Sequence, residues 1–220
     1  PISSLSVCRR SAALPNEARS ALVCYVPAGL PDLGRSLESL RALEEGGADI
    51  IELGVPFSDP IADGPVIQSS SQQALEQGMT YDGVLALIER AKPKAPVVLF
   101  SYLNPILAAG PDALTRAAAA GASGILVTDI PVGADAEREE WLGASPLAFI
   151  RLVAPTTPRD RMAEIARHGS GFVYPISRIG GTGVQEKTPP ALPHSVTHPG
   201  SPHPLPISLG LASPTPHESP

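Results

Sequence analysis

Six short apolar runs punctuate the chain: ALVCYV (21–26), ADIIELG (48–54), PVVLFSY (96–102), GILVTDI (124–130), LAFIRLV (147–153) and GFVYPIS (171–177). Each is nearly continuous rather than alternating, the pattern of parallel strands covered on both faces. Between the runs, apolar residues recur at helical spacing. Over 31–47, Leu33, Leu37, Leu40 and Leu43 fall on one face, with Asp32 placed to cap the start and Gly46 to end it. Over 80–92, Val84, Leu87 and Ile88 come together. Over 156–170, Thr157 is the expected cap, Pro158 lies in the first turn, Met162, Ile165 and Ala166 face inward, and Gly169 marks the stop. The segment 111–122 is a shorter, alanine-rich version.

Six βα repeats running one way predict a parallel sheet. Most strand-to-strand intervals are nearly equal, which favours a barrel over a doubly wound sheet, and no GxGxxG follows the first strand. The long interval, between the second and third strands, holds an extra helical piece, PVIQSSSQQALEQG. An enlarged loop after a barrel strand lies at the catalytic face. The expectation is therefore an α/β fold, a (β/α)8 TIM-type barrel that is incomplete. Strands one to six are legible, a seventh is faint in PLPISLGLASPTP, and no eighth is found.

The pattern breaks near residue 187. Residues 188–220 hold ten prolines, no aromatic residue and one charged residue, Glu218. Such a segment cannot bury enough apolar surface to offset its ordering entropy. The chain thus divides into a barrel portion, 1–187, and a proline-rich tail, 188–220, read as disordered or as a poor remnant of strand seven. The tail reads as a shifted frame or an unremoved intervening sequence, which peptide mapping of the natively expressed C-terminus tests. Its His194, His198 and His203 are put down to tract composition rather than to a metal site.

Composition narrows the function. The chain is 43% hydrophobic and 17% charged, with a net charge of −6, which argues against nucleic acid or an anionic membrane as the main partner. No apolar run approaches the ~20 residues that span a bilayer. The N-terminus has no secretory pattern and no initiator Met, and reads as clipped. Cys8 and Cys24 are the only cysteines; Cys24 sits in an apolar run, and the pair suits a reducing compartment. No CxxC or HExxH spacing points to a metal.

Candidate chemistry gathers in ELGVPFSDPIADGPVIQ (52–68). Glu52 stands near the end of a buried strand, where an isolated carboxylate faces the barrel mouth with a raised pKa or pairs with an arginine of a neighbouring strand. Position alone leaves both readings open. Asp59 and Asp63 lie in SDPIADGP, ordinary turn chemistry, but Pro56, Pro60 and Pro65 stiffen the loop enough to keep one side chain aimed. Tyr174 ends the sixth strand, and SRIGGTG (177–183) follows as a loop that could close over a ligand or bind phosphate. Asp129 and Asn104 also stand at strand ends, as ligand contacts or as local turn residues.

These motifs, together with YVPAGLPD (25–32), SYLNPI (101–106), VTDIPVG (127–133), VAPTTPRDR (153–161) and GFVYPISRIGGTG (171–183), resemble the α subunit of tryptophan synthase from residue 20 to about 187. The resemblance implies a barrel lyase that cleaves indole-3-glycerol phosphate to indole and glyceraldehyde 3-phosphate in tryptophan biosynthesis. It assigns Glu52 as the acid/base and Asp63 as the anion at the indole N–H, with Tyr174 in the same pocket. Tyr25 and Phe100 would line the indole site, with Asp129 among the substrate-binding candidates. Thr182 would support Asp63 when the loop closes, and Gly183 would lie near the phosphate. The family's α subunit carries no cofactor; pyridoxal phosphate is expected on a β partner, in an α2β2 assembly. The compartment would be the cytoplasm, or the plastid stroma in a plant. Two alternatives stand beside this reading: an impaired barrel fragment that only binds a β-type partner, and a stand-alone indole-releasing lyase.

Overall fold

A computed structural model describes Val7, residues 21–154 and residues 156–176. Its strands are β1 (Val23–Pro27), β2 (Ile50–Gly54), β3 (Val97–Ser101), β4 (Ala122–Val127), β5 (Ala148–Val153) and β6 (Val173–Pro175). The helices are α1 (Leu33–Glu45), α2 (Pro65–Glu76), α3 (Tyr81–Ala91), α4 (Leu103–Ala108), α5 (Ala113–Ala120), α6 (Ala136–Gly143) and α7 (Arg159–Arg167). All six strands are parallel and ordered β1 to β6, each paired with its neighbour in the chain. All six predicted strands are present, in a TIM-type arrangement that carries its helices on one side. The faint seventh strand, the 188–220 tail, Thr182, Gly183 and Cys8 lie outside the described residues.

The continuous apolar runs have the expected cause. Every residue of β2 and β4 is buried, because both faces of the sheet are covered. Side chains alternate between two cores. Ile51, Leu53, Val97, Leu99, Ile125 and Phe149 pack outward under the helices. Ile50, Val98, Leu126, Ala148, Ile150 and Phe172 fill the concave side, with Val23, Phe100, Leu152 and Tyr174 packed against them. Val7 belongs to this inner core and is fully buried. Gly124 on β4 leaves the space that Ile150 uses, since a Cβ there would meet the Ile150 Cδ1 at 2.8 Å.

Helix ends follow the expected chemistry with three departures. Asp32 caps α1 by accepting the Arg35 N–H at 2.9 Å, and Gly46 ends it. Leu33, expected on the buried face of α1, is 38% exposed: it is the first residue of the helix, before the turn that reaches the sheet. Ser36 is buried instead, accepting the Gly29 N–H at 2.8 Å and donating to the Leu30 carbonyl at 3.3 Å. Thr157 does not cap α7; Pro158 holds that position, and the Thr157 hydroxyl accepts the Ala154 N–H at 2.9 Å. Finally, α4 and α6 form where no helical stripe was read. One is six residues long, and the other, AEREEWLG, buries only Leu142.

Candidate active site

Glu52 points to the concave side because it shares the parity of Ile50 along β2. Its register partners are Tyr25 on β1 and Val98 on β3. It is 2% exposed, and its Oε1 is buried without a hydrogen-bond partner. Burial pushes its pKa from 4.5 to about 8, so the carboxyl is protonated at neutral pH. No described ion pair involves it, so the alternative of a structural glutamate paired with a neighbouring arginine finds no support among the described residues.

Three aromatic rings line the same concave side. Tyr25 meets Phe100 edge-on at 5.5 Å between centroids, and Phe100 meets Tyr174 at 6.3 Å. Burial raises the Tyr25 phenol pKa, and Asp63 and then Glu52 add to the effect, so both carboxylates are felt at this one ring. Tyr174 is raised by burial, then by Glu52 and Tyr25. Tyr25 can lie across the end of β2 because residue 54 is glycine: a Cβ there would overlap the hydroxyl and stand 2.8 Å from the ring Cζ.

The loop after β2 separates its two aspartates. Asp59 is exposed and serves its own turn, its carboxylate accepting the Ser58 hydroxyl at 2.6 Å and its carbonyl the Ile61 N–H at 2.9 Å. Asp63 is half-buried and reaches across to β3's end, where the Tyr102 hydroxyl donates to its Oδ2 at 3.0 Å. The same hydroxyl accepts the Ala62 N–H at 2.9 Å, and the Phe57 ring packs against the Tyr102 ring, tilted by 36° at 5.2 Å between centroids. Tyr102 was not singled out in the sequence; its signal was a second aromatic beside Phe100 at the end of VLFSY.

Tyr25, Glu52, Phe100 and Tyr174 thus stand within β1, β2, β3 and β6, and Asp63 lies on the loop that leaves the C-terminal end of β2, the face where barrel enzymes build their sites. Asp129 lies at the same face but is exposed, and its Oδ1 accepts the Leu103 N–H at 2.8 Å at the start of α4. A cavity of about 590 Å³ lies elsewhere, outside the sheet between α6 and α7, lined by Glu139, Phe149, Arg151 and His168 among others. It brings together none of the candidate catalytic groups. Among the described residues no cluster of three or more His, Cys, Asp or Glu could hold a metal, and no helix is long and apolar enough to cross a membrane.

A parallel (β/α)-barrel wall that carries a buried glutamate, with an aspartate held on the following loop, has the architecture of the barrel enzymes. The model of the family "Tryptophan synthase alpha chain" matches residues 12–217, a span that runs well into the 188–220 segment. The tryptophan synthase alpha chain of Desulfatibacillum aliphaticivorans is 49% identical over 176 residues, 79% of this chain and 66% of that protein. That of Synechococcus elongatus is 46% identical over 178 residues, covering 80% and 67%. The chain thus spans about two thirds of the length of these relatives. Among solved structures, Mycobacterium tuberculosis tryptophan synthase superposes with a TM-score of 0.80 at 33% identity, covering 93% of this chain and 79% of that one. The tryptophan synthase alpha chain of Legionella pneumophila gives 0.81 at 29% identity, covering 94% and 77%. The chain belongs to the tryptophan synthase alpha chain family, whose members cleave indole-3-glycerol phosphate in tryptophan biosynthesis.

Proposed function

We propose that this chain is a carbon–carbon lyase that splits indole-3-glycerol phosphate into indole and glyceraldehyde 3-phosphate. The observation that carries the reading is Glu52: a carboxyl at the mouth of the sheet, protonated at neutral pH and left without a hydrogen-bond partner at Oε1. Cleavage requires a proton on carbon 3 of the indole before the C–C bond breaks, and a base for the glyceryl hydroxyl as it becomes an aldehyde. A group with a pKa near the working pH can do both in turn. As carbon 3 is protonated, the ring nitrogen gains positive character, and Asp63 supplies the opposing charge at its N–H. Tyr25, Phe100 and Tyr174 would hold the indole between the two carboxylates, while Asp129 would act from the rim. Thr182 and Gly183 would complete the closed site, the first beside Asp63 and the second at the phosphate.

The family is known to pair with a β subunit and needs no cofactor of its own. The same proposal places pyridoxal phosphate on that partner, the pair in an α2β2 assembly, and the chain in the cytoplasm. Indole release by the purified chain tests it, with Glu52→Gln and Asp63→Asn as controls. Release lost by about 10³-fold in the first variant and at least about 10²-fold in the second supports the roles given. No release from a folded chain that still binds a β partner would replace the lyase with the binding-only reading.

A further inference from the structure

The loop between β4 and α6 has no regular structure, yet three of its main-chain groups are held by charged side chains rooted elsewhere. Arg151 on β5 faces the helices and is 4% exposed. Its Nη1 donates to the Ile130 carbonyl at 3.1 Å, its Nε to the His168 carbonyl at 3.0 Å, and its Nη2 to Glu139 Oε2 at 2.5 Å. Glu139 on α6 accepts the Gly133 N–H at 2.7 Å through its other oxygen. Arg161 on α7 donates to the Val132 carbonyl at 2.5 Å and pairs with Glu164 at 2.8 Å.

A buried ion pair is rarely the most stable filling for its volume, so its presence asks for a use beyond stability. The use lies at the other end of the loop. Asp129 directly precedes the braced carbonyl of Ile130, and its carboxylate holds the Leu103 N–H. The Thr128 N–H adds a bond to the Ser101 carbonyl at 3.0 Å. Leu103 follows Tyr102, whose hydroxyl holds Asp63 and the Ala62 N–H. A continuous run of bonds thus leads from the outer wall to the catalytic loop.

We propose that Arg151, Glu139 and Arg161 are positioning residues, a brace on the helix side of the sheet that sets the place of Asp63 through Asp129 and Tyr102. The proposal rests on the reading of Asp63 given above. None of the three belongs to the aromatic pocket. Their effect is expected on the step in which Asp63 meets developing charge, hence on kcat rather than KM.

Glu139→Gln and Arg161→Met test the brace. Arg161 is 39% exposed, so its loss leaves the core intact, and Arg161→Lys serves as the conservative rescue. Expected are a roughly 10-fold fall in kcat for indole release, a KM within about 2-fold, and faster amide exchange at Leu103 and Ala62, partly restored by lysine. The proposal is overturned if exchange quickens over 130–133 in both variants while Leu103, Ala62 and kcat stay unchanged. Should the parent chain release no indole, exchange at Leu103 and Ala62 decides the brace alone, and the lack of activity counts against the catalytic reading.

Discussion

Two buried ionisable residues stand mid-strand in this sheet and are treated in opposite ways. Arg151 on β5 faces the helices and meets a carboxylate, two carbonyls and the Phe149 ring, 4.0 Å from the guanidinium carbon. Glu52 on β2 faces the concave side, and its Oε1 has no hydrogen-bond partner. Both charges carry a desolvation penalty, which lowers the Arg151 pKa and raises that of Glu52. The arginine stays charged because Glu139 opposes the shift. The glutamate takes up a proton instead. The difference teaches where to look for chemistry: a buried charge with a full set of partners is accounted for by the wall, whereas one that lacks them marks the candidate site.

The sharpest way to break this contrast is to remove each member in turn. Arg151→Met should cost about 3–5 kcal/mol in chemical denaturation, because it strands the Glu139 carboxylate in the wall. Glu52→Gln should do the reverse. The native state holds a proton that the unfolded chain releases above pH 4.5, so stability falls as pH rises from there through about 8. Removing the carboxyl removes that slope, leaving the variant more stable than the parent at pH 8 by an amount on the order of a few kcal/mol. Denaturation midpoints at pH 5 and pH 8 check this; parallel curves for parent and variant would show that Glu52 is not protonated in the folded chain. Gly54→Ala should cost about 1–3 kcal/mol by displacing Tyr25, and the loss should shrink in a double variant with Tyr25→Ala. Tyr102→Phe is the mildest, about 1 kcal/mol, with a several-fold loss of indole release because the Tyr102 hydroxyl no longer donates to Asp63.

The sequence made the sheet legible because two-sided burial leaves a direct trace, an unbroken apolar run. Leu33 was misplaced because periodicity records the face a residue shares, not whether the helix has yet reached the sheet. Helices α4 and α6 were missed for want of an apolar stripe; one is capped from a distance by Asp129, and the other is anchored by the polar Glu139. At the site, the turn chemistry of ELGVPFSDPIADGP could not by itself separate Asp59 from Asp63; only the family resemblance singled out Asp63. That distinction lies in Tyr102, 39 residues away, beyond the reach of any local turn rule. Arg151 carried the same signal as Glu52, a lone charge within a buried strand, and only its partners revealed its different purpose.

Each strand pairs with the strand just before it in the chain, so the sheet can lengthen in the order in which the polypeptide emerges during synthesis. Val7 departs from that order. It packs 3.1 Å from the position a Cβ would take at Gly171 and shares the inner core with Phe172. The first described residue therefore shares a core that is complete only when Phe172, just ahead of the last described strand, has been made. A nascent chain halted after β5 would present that unfilled apolar surface to chaperones, and its occupancy would report when the sixth strand has docked.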